Sequence, residues 1–179
     1  YTSGPMALDG KIIIGASNCV TSRCSITAHD AGTGKELWRF YTVAAPDEPG
    51  GDTWNGIPGD ARFGGSSWTS GSYDPETKLL YWGVGQPYPW NAFARGTPIK
   101  STDNPKLLYT DNTLALDPDT GKLVWNYSHL HDDSWDLDYV FERELIDLPV
   151  NGKTEKVSLT AGKMAILEAV DARTGKFVF

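Results

Sequence analysis

Four carboxylates lie within seven positions of one another in the stretch HDDSWDLD, at residues 131–138. They are Asp132, Asp133, Asp136 and Asp138, and Trp135 stands among them. A carboxylate can accept the proton of a reacting hydroxyl group or bind a hard metal cation. The same density of charge is also typical of a solvated acidic loop, so the stretch by itself leaves both interpretations open.

Two cysteines, Cys19 and Cys24, lie close together in the stretch NCVTSRC. Their Gly, Ser and Thr surroundings favour a local disulfide formed in an oxidising compartment over two free thiols. A zinc pair is less favoured because no second Cys/His pair lies at zinc-like spacing.

Composition excludes several classes of protein. The 179 residues are 40% hydrophobic and 22% charged, with a net charge of −7, which argues against nucleic-acid binding. No run of about 18 apolar residues is present, so no membrane-spanning helix is predicted. The sequence starts and stops in mid-pattern, and we expect it to be an internal fragment, so the lack of a signal peptide carries no information on location.

A turn motif recurs along the chain. It occurs in residues 26–40, 69–83, 113–127 and 167–179, each time as an apolar strand, an aspartate, a tight turn and a second strand. Asp30, Asp74, Asp117 and Asp171 mark the same point of each copy, at separations of 44, 43 and 54 residues. Aspartate initiates such turns and glycine supplies their positive φ. Regular hairpins at this interval favour an all-β propeller of about three to four visible blades over a β-sandwich.

The full repeat, A-x-D-x-x-T-G-K-x-x-W, is complete at Ala28–Trp38 and Ala115–Trp125. It resembles the tryptophan-docking motif of the PQQ-dependent alcohol dehydrogenases, which are eight-bladed propellers that hold pyrroloquinoline quinone and a metal ion. The stretches GKELWRFYTV, SYDPETKLLYWGVGQPYPWN and SWDLD carry most of the resemblance. It implies one partial propeller domain over residues 1–179, with no separate second domain. In the last copy Phe179 replaces the tryptophan.

The resemblance implies a set of cofactor-binding residues. Trp68 matches the tryptophan that lies flat against the quinone, where a planar ring system needs a broad aromatic surface. Ser66 matches a hydroxyl residue that hydrogen-bonds the cofactor, and Lys163 matches the cation that stabilises the charge of the reduced quinone. Thr2 and Ser17 match further cofactor-contact positions.

The resemblance also divides the acidic stretch into unequal roles. Asp136 matches the catalytic aspartate, which would take the hydroxyl proton of an alcohol as hydride leaves carbon. Asp138 matches the additional metal ligand of the lanthanide-dependent members. In a regular strand, alternation would place these two side chains on one face. Asp132 and Asp133 match no role and are predicted to lie in a solvated turn.

Two departures from the family pattern concern the metal. Val20 stands where the family has a glutamate ligand, and Gln86 stands where it has an asparagine. The remaining protein ligands would be Gln86, Asp136 and Asp138, which is few for Ca²⁺ with its 6–8 oxygen ligands. The metal could be retained with the help of Asp138, shifted towards another carboxylate, or lost.

The resemblance therefore predicts an enzyme, a periplasmic quinoprotein that oxidises a small alcohol with pyrroloquinoline quinone and Ca²⁺ or a lanthanide ion. Reoxidation of the cofactor would need an electron acceptor such as a cytochrome c or a similar protein. No C-x-x-C-H haem motif occurs in these residues, so any haem is expected to lie elsewhere. The alternative is a non-catalytic propeller that serves as a binding or assembly scaffold. The substrate and the oligomeric state are not predicted.

Overall fold

Antiparallel β-sheet forms most of the regular structure in the computed structural model, which describes residues 3–96 and 105–179. The strands in chain order are β1 (Met6–Leu8), β2 (Lys11–Gly15), β3 (Ser25–Asp30), β4 (Glu36–Tyr41), β5 (Phe63–Gly64), β6 (Ser72–Asp74), β7 (Leu79–Gly83), β8 (Pro87–Tyr88), β9 (Asn112–Leu116), β10 (Leu123–Ser128), β11 (Glu144–Val150), β12 (Lys153–Ala161) and β13 (Leu167–Asp171). Within the described residues, the helical segments are one short α-helix, α1 (Ala92–Arg95), and the 3₁₀ turns Gly51–Trp54 and Gly59–Ala61. The all-β prediction is confirmed.

Two four-stranded sheets and one three-stranded sheet follow one another along the chain. The first has the order β1-β2-β3-β4, the second β10-β9-β7-β6 and the third β11-β12-β13. Strands β5 and β8 form a separate two-stranded ribbon. In the second sheet, the repeat copy at residues 69–83 forms strands β6 and β7, and the copy at 113–127 forms β9 and β10. Two of the four repeat copies therefore share one sheet, so each copy does not correspond to a separate blade.

The aspartate of each complete motif organises its own turn. The Asp117 carboxylate accepts hydrogen bonds from the amides of Asp119 and Thr120, at 2.8 and 2.9 Å. Asp30 and Asp171 accept equivalent bonds from the residues that follow them. These bonds lower the pKa of Asp117 although partial burial opposes them. The motif is thus a locally closed structure, which explains why its spacing is so regular.

The motif tryptophan connects one sheet to the next. Trp38 of the first sheet donates its Nε1–H to the Pro118 carbonyl in the turn of the second sheet, at 3.0 Å. Trp125 of the second sheet donates in the same way to Ala172 in the turn of the third, at 3.1 Å. A Cβ on Gly121 would lie 2.5 Å from the Trp38 ring, and Gly121 has a φ of +68°. Glycine is therefore required there both by the turn and by the docked ring.

The core lies within and between the sheets. The larger cluster joins strands of the first two sheets with the fully buried side chains of Ile13, Ile26, Trp82 and Leu114, and it includes Trp54 from a connecting segment. A smaller cluster packs Tyr81 and Trp125 against Val170 of the third sheet. No helix in residues 3–96 and 105–179 is long and apolar enough to cross a membrane.

Candidate functional site

A pocket of about 350 Å³ opens at the end of the first two sheets. It is lined by Ser17, Asn18, Cys19, Val20, Gly64, Ser66, Trp68, Gln86 and Tyr88. Three predicted cofactor contacts, Ser17, Ser66 and Trp68, therefore meet there with the predicted metal ligand Gln86. Thr2 lies outside the described residues, so its predicted contact stays a prediction.

The β5–β8 ribbon builds one side of this pocket. Gly64 pairs with Pro87, and the Gly65 amide donates to the Gln86 carbonyl at 3.0 Å. A Cβ at Gly64 would lie 2.5 Å from the Tyr88 amide nitrogen, and Gly64 has a φ of +92°. The close approach of these two segments places Ser66 and Gln86 at the same wall.

The loop at residues 16–24 forms the facing wall and contains the predicted Cys19–Cys24 disulfide, which the structure confirms. The Cys19 carbonyl accepts the Gly64 amide at 3.0 Å, and the Cys24 amide donates to the Gly64 carbonyl at 3.1 Å. The Asn18 amide donates to Ser66 Oγ at 3.1 Å. Val20 lies in this wall and supplies no donor atom for a metal.

The acidic segment at residues 131–138 is a loop in which Asp136 and Asp138 have φ values of 60° and 30°. Strand alternation therefore does not apply to it. The two carboxylates nevertheless converge on one cation, because Lys163 Nζ lies 3.1 Å from Asp136 Oδ1 and 2.5 Å from Asp138 Oδ2. The structure thus brings together three of the residues that the sequence assigned to the chemistry.

Asp138 connects this ion cluster to the pocket. Its Oδ1 accepts the Gln86 amide at 3.0 Å. A Cβ at Gly85 would lie 2.5 Å from the same oxygen and 3.0 Å from Cζ3 of Trp68, so only glycine fits between them. The pocket and the charged cluster are therefore adjacent parts of one site.

Burial and neighbouring charges shift the pKa values of Asp138 and Lys163 in opposite directions. Burial raises the pKa of Asp138, and the bonds from Lys163 and Gln86 offset this only in part. For Lys163, partial burial is outweighed by the bonds to Asp138 and Asp136, which raise its pKa. The Asp136 side chain is half exposed.

The prediction that Asp132 and Asp133 are solvated is wrong. Asp133 is buried, and its carboxylate accepts the amides of Trp135 and Leu137 at 2.8 and 2.7 Å. Asp132 forms an ion pair at 2.5 Å with the fully buried guanidinium of Arg95. Both side chains therefore fix the loop that presents Asp136. Asp132 does so through a residue 37 positions away, and Asp133 through the backbone of its own loop.

Asp111 is a buried residue of the site that sequence reasoning missed. Its Oδ1 accepts the Tyr139 amide at 3.2 Å, and its own amide donates to the Gly85 carbonyl at 3.1 Å. Asp111 therefore joins the residue after Asp138 to the residue before Gln86. Complete burial, with Asp133 and Asp138 nearby, raises its pKa well above the usual range. No motif of the sequence singled it out.

A buried polar network packs behind the acidic loop. His129 Nδ1 lies 2.7 Å from Glu168 and Nε2 lies 2.7 Å from Thr113 Oγ1, while the ring stacks on Tyr139 at 4.4 Å. Burial lowers the pKa of His129 to about 4, so the imidazole is neutral at pH 7. The carboxylate can only accept, so Nδ1 donates to Glu168 and Nε2 accepts from Thr113.

The potential metal ligands at the site are oxygen atoms, which hard cations prefer. Asp136 and Asp138 offer carboxylate oxygens, and Gln86 Oε1 is a buried amide oxygen without a hydrogen-bond partner in the part of the chain that the structure describes. Within residues 3–96 and 105–179, no three His, Cys, Asp or Glu side chains form a metal-holding group. Three oxygen donors therefore fit a calcium or lanthanide ion only if cofactor and solvent oxygens complete its coordination.

Comparison with known proteins gives consistent results. All of residues 1–179 match the PQQ family model described as "Glucose/ethanol/alcohol dehydrogenase, beta-propeller domain". The chain is 36% identical over 99% of its length to quinohemoprotein alcohol dehydrogenase ADH IIB of Pseudomonas putida. It covers 26% of that protein, so it spans about a quarter of the length of such relatives.

Solved structures show the same likeness. Quinohemoprotein alcohol dehydrogenase ADHIIG of Pseudomonas putida HK5 superposes with a TM-score of 0.84 at 34% identity, over 99% of this chain and 27% of that one. A europium-containing methanol dehydrogenase superposes with a TM-score of 0.80 at 29% identity, over 97% of this chain and 32% of that one. These likenesses confirm the predicted partial propeller.

Proposed function

Because the chain belongs to the propeller family of the PQQ-dependent alcohol dehydrogenases, we propose that its full-length protein oxidises an alcohol with pyrroloquinoline quinone and Ca²⁺ or a lanthanide ion. One observation carries the proposal: the carboxylates of Asp136 and Asp138 converge on Lys163 directly beside the pocket that contains Trp68. A scaffold protein has no chemical need for this combination of groups.

The roles of the residues follow from their positions. Trp68 offers a flat apolar surface at the pocket wall for a planar cofactor, and Ser17 and Ser66 offer hydroxyl groups for its polar edge. Gln86, Asp136 and Asp138 would hold the metal ion. When bound, the quinone accepts the hydride, and the metal ion would act as a Lewis acid towards its carbonyl group.

The proton of the alcohol would be taken by Asp136. Its half-exposed carboxylate can meet a hydroxyl group, and its pairing with Lys163 holds it in one position. The Lys163 ammonium would stabilise negative charge that develops beside it during the reaction. The buried Asp133 and the Asp132–Arg95 pair keep the loop rigid, so that the base does not need to be ordered in each turnover.

The location and the electron acceptor are part of the proposal. An oxidising compartment such as the periplasm is supported by the Cys19–Cys24 disulfide. Reoxidation of the cofactor would need an electron acceptor such as a cytochrome c.

The test is reconstitution of the full-length protein with PQQ plus either Ca²⁺ or La³⁺, followed by dye-linked oxidation of small alcohols. We expect activity with at least one ion and higher activity with La³⁺, because Asp138 adds a negative oxygen ligand. Equal activity with Ca²⁺ would contradict the role of Asp138. If the protein shows neither quinone binding nor turnover with either ion, the result would favour the non-catalytic propeller instead.

A further inference from the structure

The Cys19–Cys24 disulfide borders the pocket through Cys19, while Cys24 is completely buried. The residues between them are in neither helix nor strand, apart from an isolated bridge between Arg23 and Gly64. The loop is held to the β5–β8 ribbon by the two backbone bonds of Gly64 with Cys19 and Cys24. The cross-link spans this pair of bonds and therefore fixes the loop at the point where it forms the pocket wall.

The disulfide also contacts a predicted cofactor residue. Cys24 Sγ lies 3.6 Å from Ser66 Oγ. A disulfide sulfur has no hydrogen to donate, so the Ser66 hydroxyl is the donor in this contact. The same oxygen accepts the Asn18 amide from the cross-linked loop. The Ser66 hydroxyl therefore contacts both the disulfide and the cross-linked loop.

We propose that Cys19 and Cys24 are a positioning pair for the quinone pocket, and that reduction of their disulfide by a small thiol weakens cofactor binding. Oxidised, the pair holds the wall that carries Ser17 and directs the Ser66 hydroxyl towards sulfur. Reduced, Cys24 becomes a thiol that can donate, and the loop loses its covalent link and is held by hydrogen bonds alone, including those to Gly64 and those of the Arg23 side chain. The proposal rests on the proposed function, since the ligand it concerns is PQQ.

Reduction of the disulfide would begin at Cys19, because Cys19 borders the pocket whereas Cys24 is buried. A thiolate of the small thiol attacks Cys19 Sγ at the pocket wall, the sulfur–sulfur bond breaks, and the electron pair leaves on Cys24 Sγ, which takes a proton. A second thiol then attacks the mixed disulfide on Cys19. Cys19 leaves as a thiol, and the two small thiols are released as their own disulfide. Two cysteine thiols and one small-molecule disulfide are the products.

The test compares PQQ affinity of the full-length protein, with Ca²⁺ present, in three forms: oxidised wild type, wild type reduced with dithiothreitol, and the double variant Cys19→Ser/Cys24→Ser. The reductant is removed by anaerobic desalting before PQQ is added, because a thiol also reduces the quinone. We expect the dissociation constant to rise by about tenfold or more in the reduced wild type and in the variant, because the wall must then be ordered on binding. Treatment of the variant with dithiothreitol should change nothing further.

Amide hydrogen exchange gives a second measurement that does not depend on the cofactor. The amides of Asn18, Cys24 and Gly64 should exchange faster after reduction, while those of the Asp117 turn should not change. Equal affinity of the oxidised and reduced wild type would overturn the proposal and leave the proposed function intact, as would a thiol response of the same size in the variant. Absence of PQQ binding in every form would instead refute the proposed function, and the positioning role with it.

Discussion

The docking turns and the site loops satisfy their polar groups in different ways. In a docking turn, the Asp117 carboxylate binds amides two and three residues further on, and the turn receives one tryptophan ring from the preceding sheet. In the acidic loop, Asp132 depends on Arg95, and Asp138 depends on Gln86 and Lys163. The docking turns therefore form a repeated scaffold, whereas the site combines the local bonds of Asp133 with contacts between distant segments.

The difference also appears in charge. Hydrogen bonds from nearby residues lower the pKa values of the motif aspartates Asp30 and Asp117, because these bonds favour the carboxylate. Burial raises the pKa values of Asp111 and Asp138 at the site. The scaffold thus uses ionised carboxylates near the surface, and the site retains buried ones at an energetic cost. Such displaced pKa values are typical of functional positions.

The largest expected effect concerns catalysis alone. Asp136→Asn removes the proposed base, and we expect kcat to fall by about 10²–10⁴-fold while PQQ remains bound. The free energy of unfolding should change little, because the Asp136 side chain is half exposed. Steady-state kinetics and a PQQ titration measure the two effects. The matched control is Asp47→Asn, an exposed aspartate that is not among the residues lining the pocket, which should leave kcat unchanged. Loss of PQQ from Asp136→Asn would make Asp136 a structural residue.

The next largest effect concerns the scaffold. Trp38→Ala removes a nearly buried ring from the seam between the first two sheets, and we expect a loss of about 3–5 kcal/mol in the free energy of unfolding. Trp38→Phe keeps an aromatic ring but loses the hydrogen bond to Pro118. We expect the lost bond to lower the free energy of unfolding by about 1 kcal/mol, in addition to the cost of the reduced packing. Denaturant titration measures both. A large drop in kcat of the folded Trp38→Phe protein would contradict the separation of scaffold and site.

The smallest effect concerns pH. The unfolded chain protonates His129 below pH 6.5, whereas the folded protein does so only near its pKa of about 4. Between these values the unfolded state binds more protons, so the free energy of unfolding should fall as the pH falls, by about 3 kcal/mol in total. The carboxylates of Asp111 and Asp138, whose pKa values are raised, contribute with the opposite sign.

The His129→Gln variant isolates this contribution, because glutamine does not titrate. Denaturant titrations from pH 7 to pH 4 should show a shallower loss of stability in the variant than in the wild type. Parallel curves would mean that His129 is protonated over the same pH range in the folded and unfolded states. Nε2 would then donate to Thr113, while Nδ1 would still donate to Glu168.

The scaffold could be predicted from the sequence because its contacts are local. The bonds of Asp30 reach only to Thr33, so the turn is visible as a short pattern. The blade count was less accessible, since the copy at residues 69–83 shares a sheet with the next copy. Which hairpins pair with one another depends on interactions that no single motif contains.

The site could be predicted only in part. The resemblance gave residues that do meet at the pocket, including Ser66, Trp68 and Gln86. The roles of Asp132 and Asp133 were predicted wrongly because their partners lie elsewhere in the chain or on the backbone of their own loop. Strand alternation does not apply to Asp136 and Asp138, because both residues have positive φ values and lie in a loop. Asp111 was missed because a single buried carboxylate has no sequence signature.

The contacts between the motif tryptophans and the turns of the next sheet all run in one direction along the chain. Gly121 and Gly175 each lie against a tryptophan ring from the preceding sheet, whereas a Cβ on Gly34 would meet nothing within 4 Å among residues 3–96 and 105–179. The second sheet therefore receives a ring from the first sheet and gives one to the third, like the head and tail of a subunit in a heterologous interface. Sheets of this kind can join in one orientation only. When they close into a ring, each face that gives a tryptophan meets a face that receives one. We expect the turn at Gly34 to receive the tryptophan of a preceding blade in the complete ring.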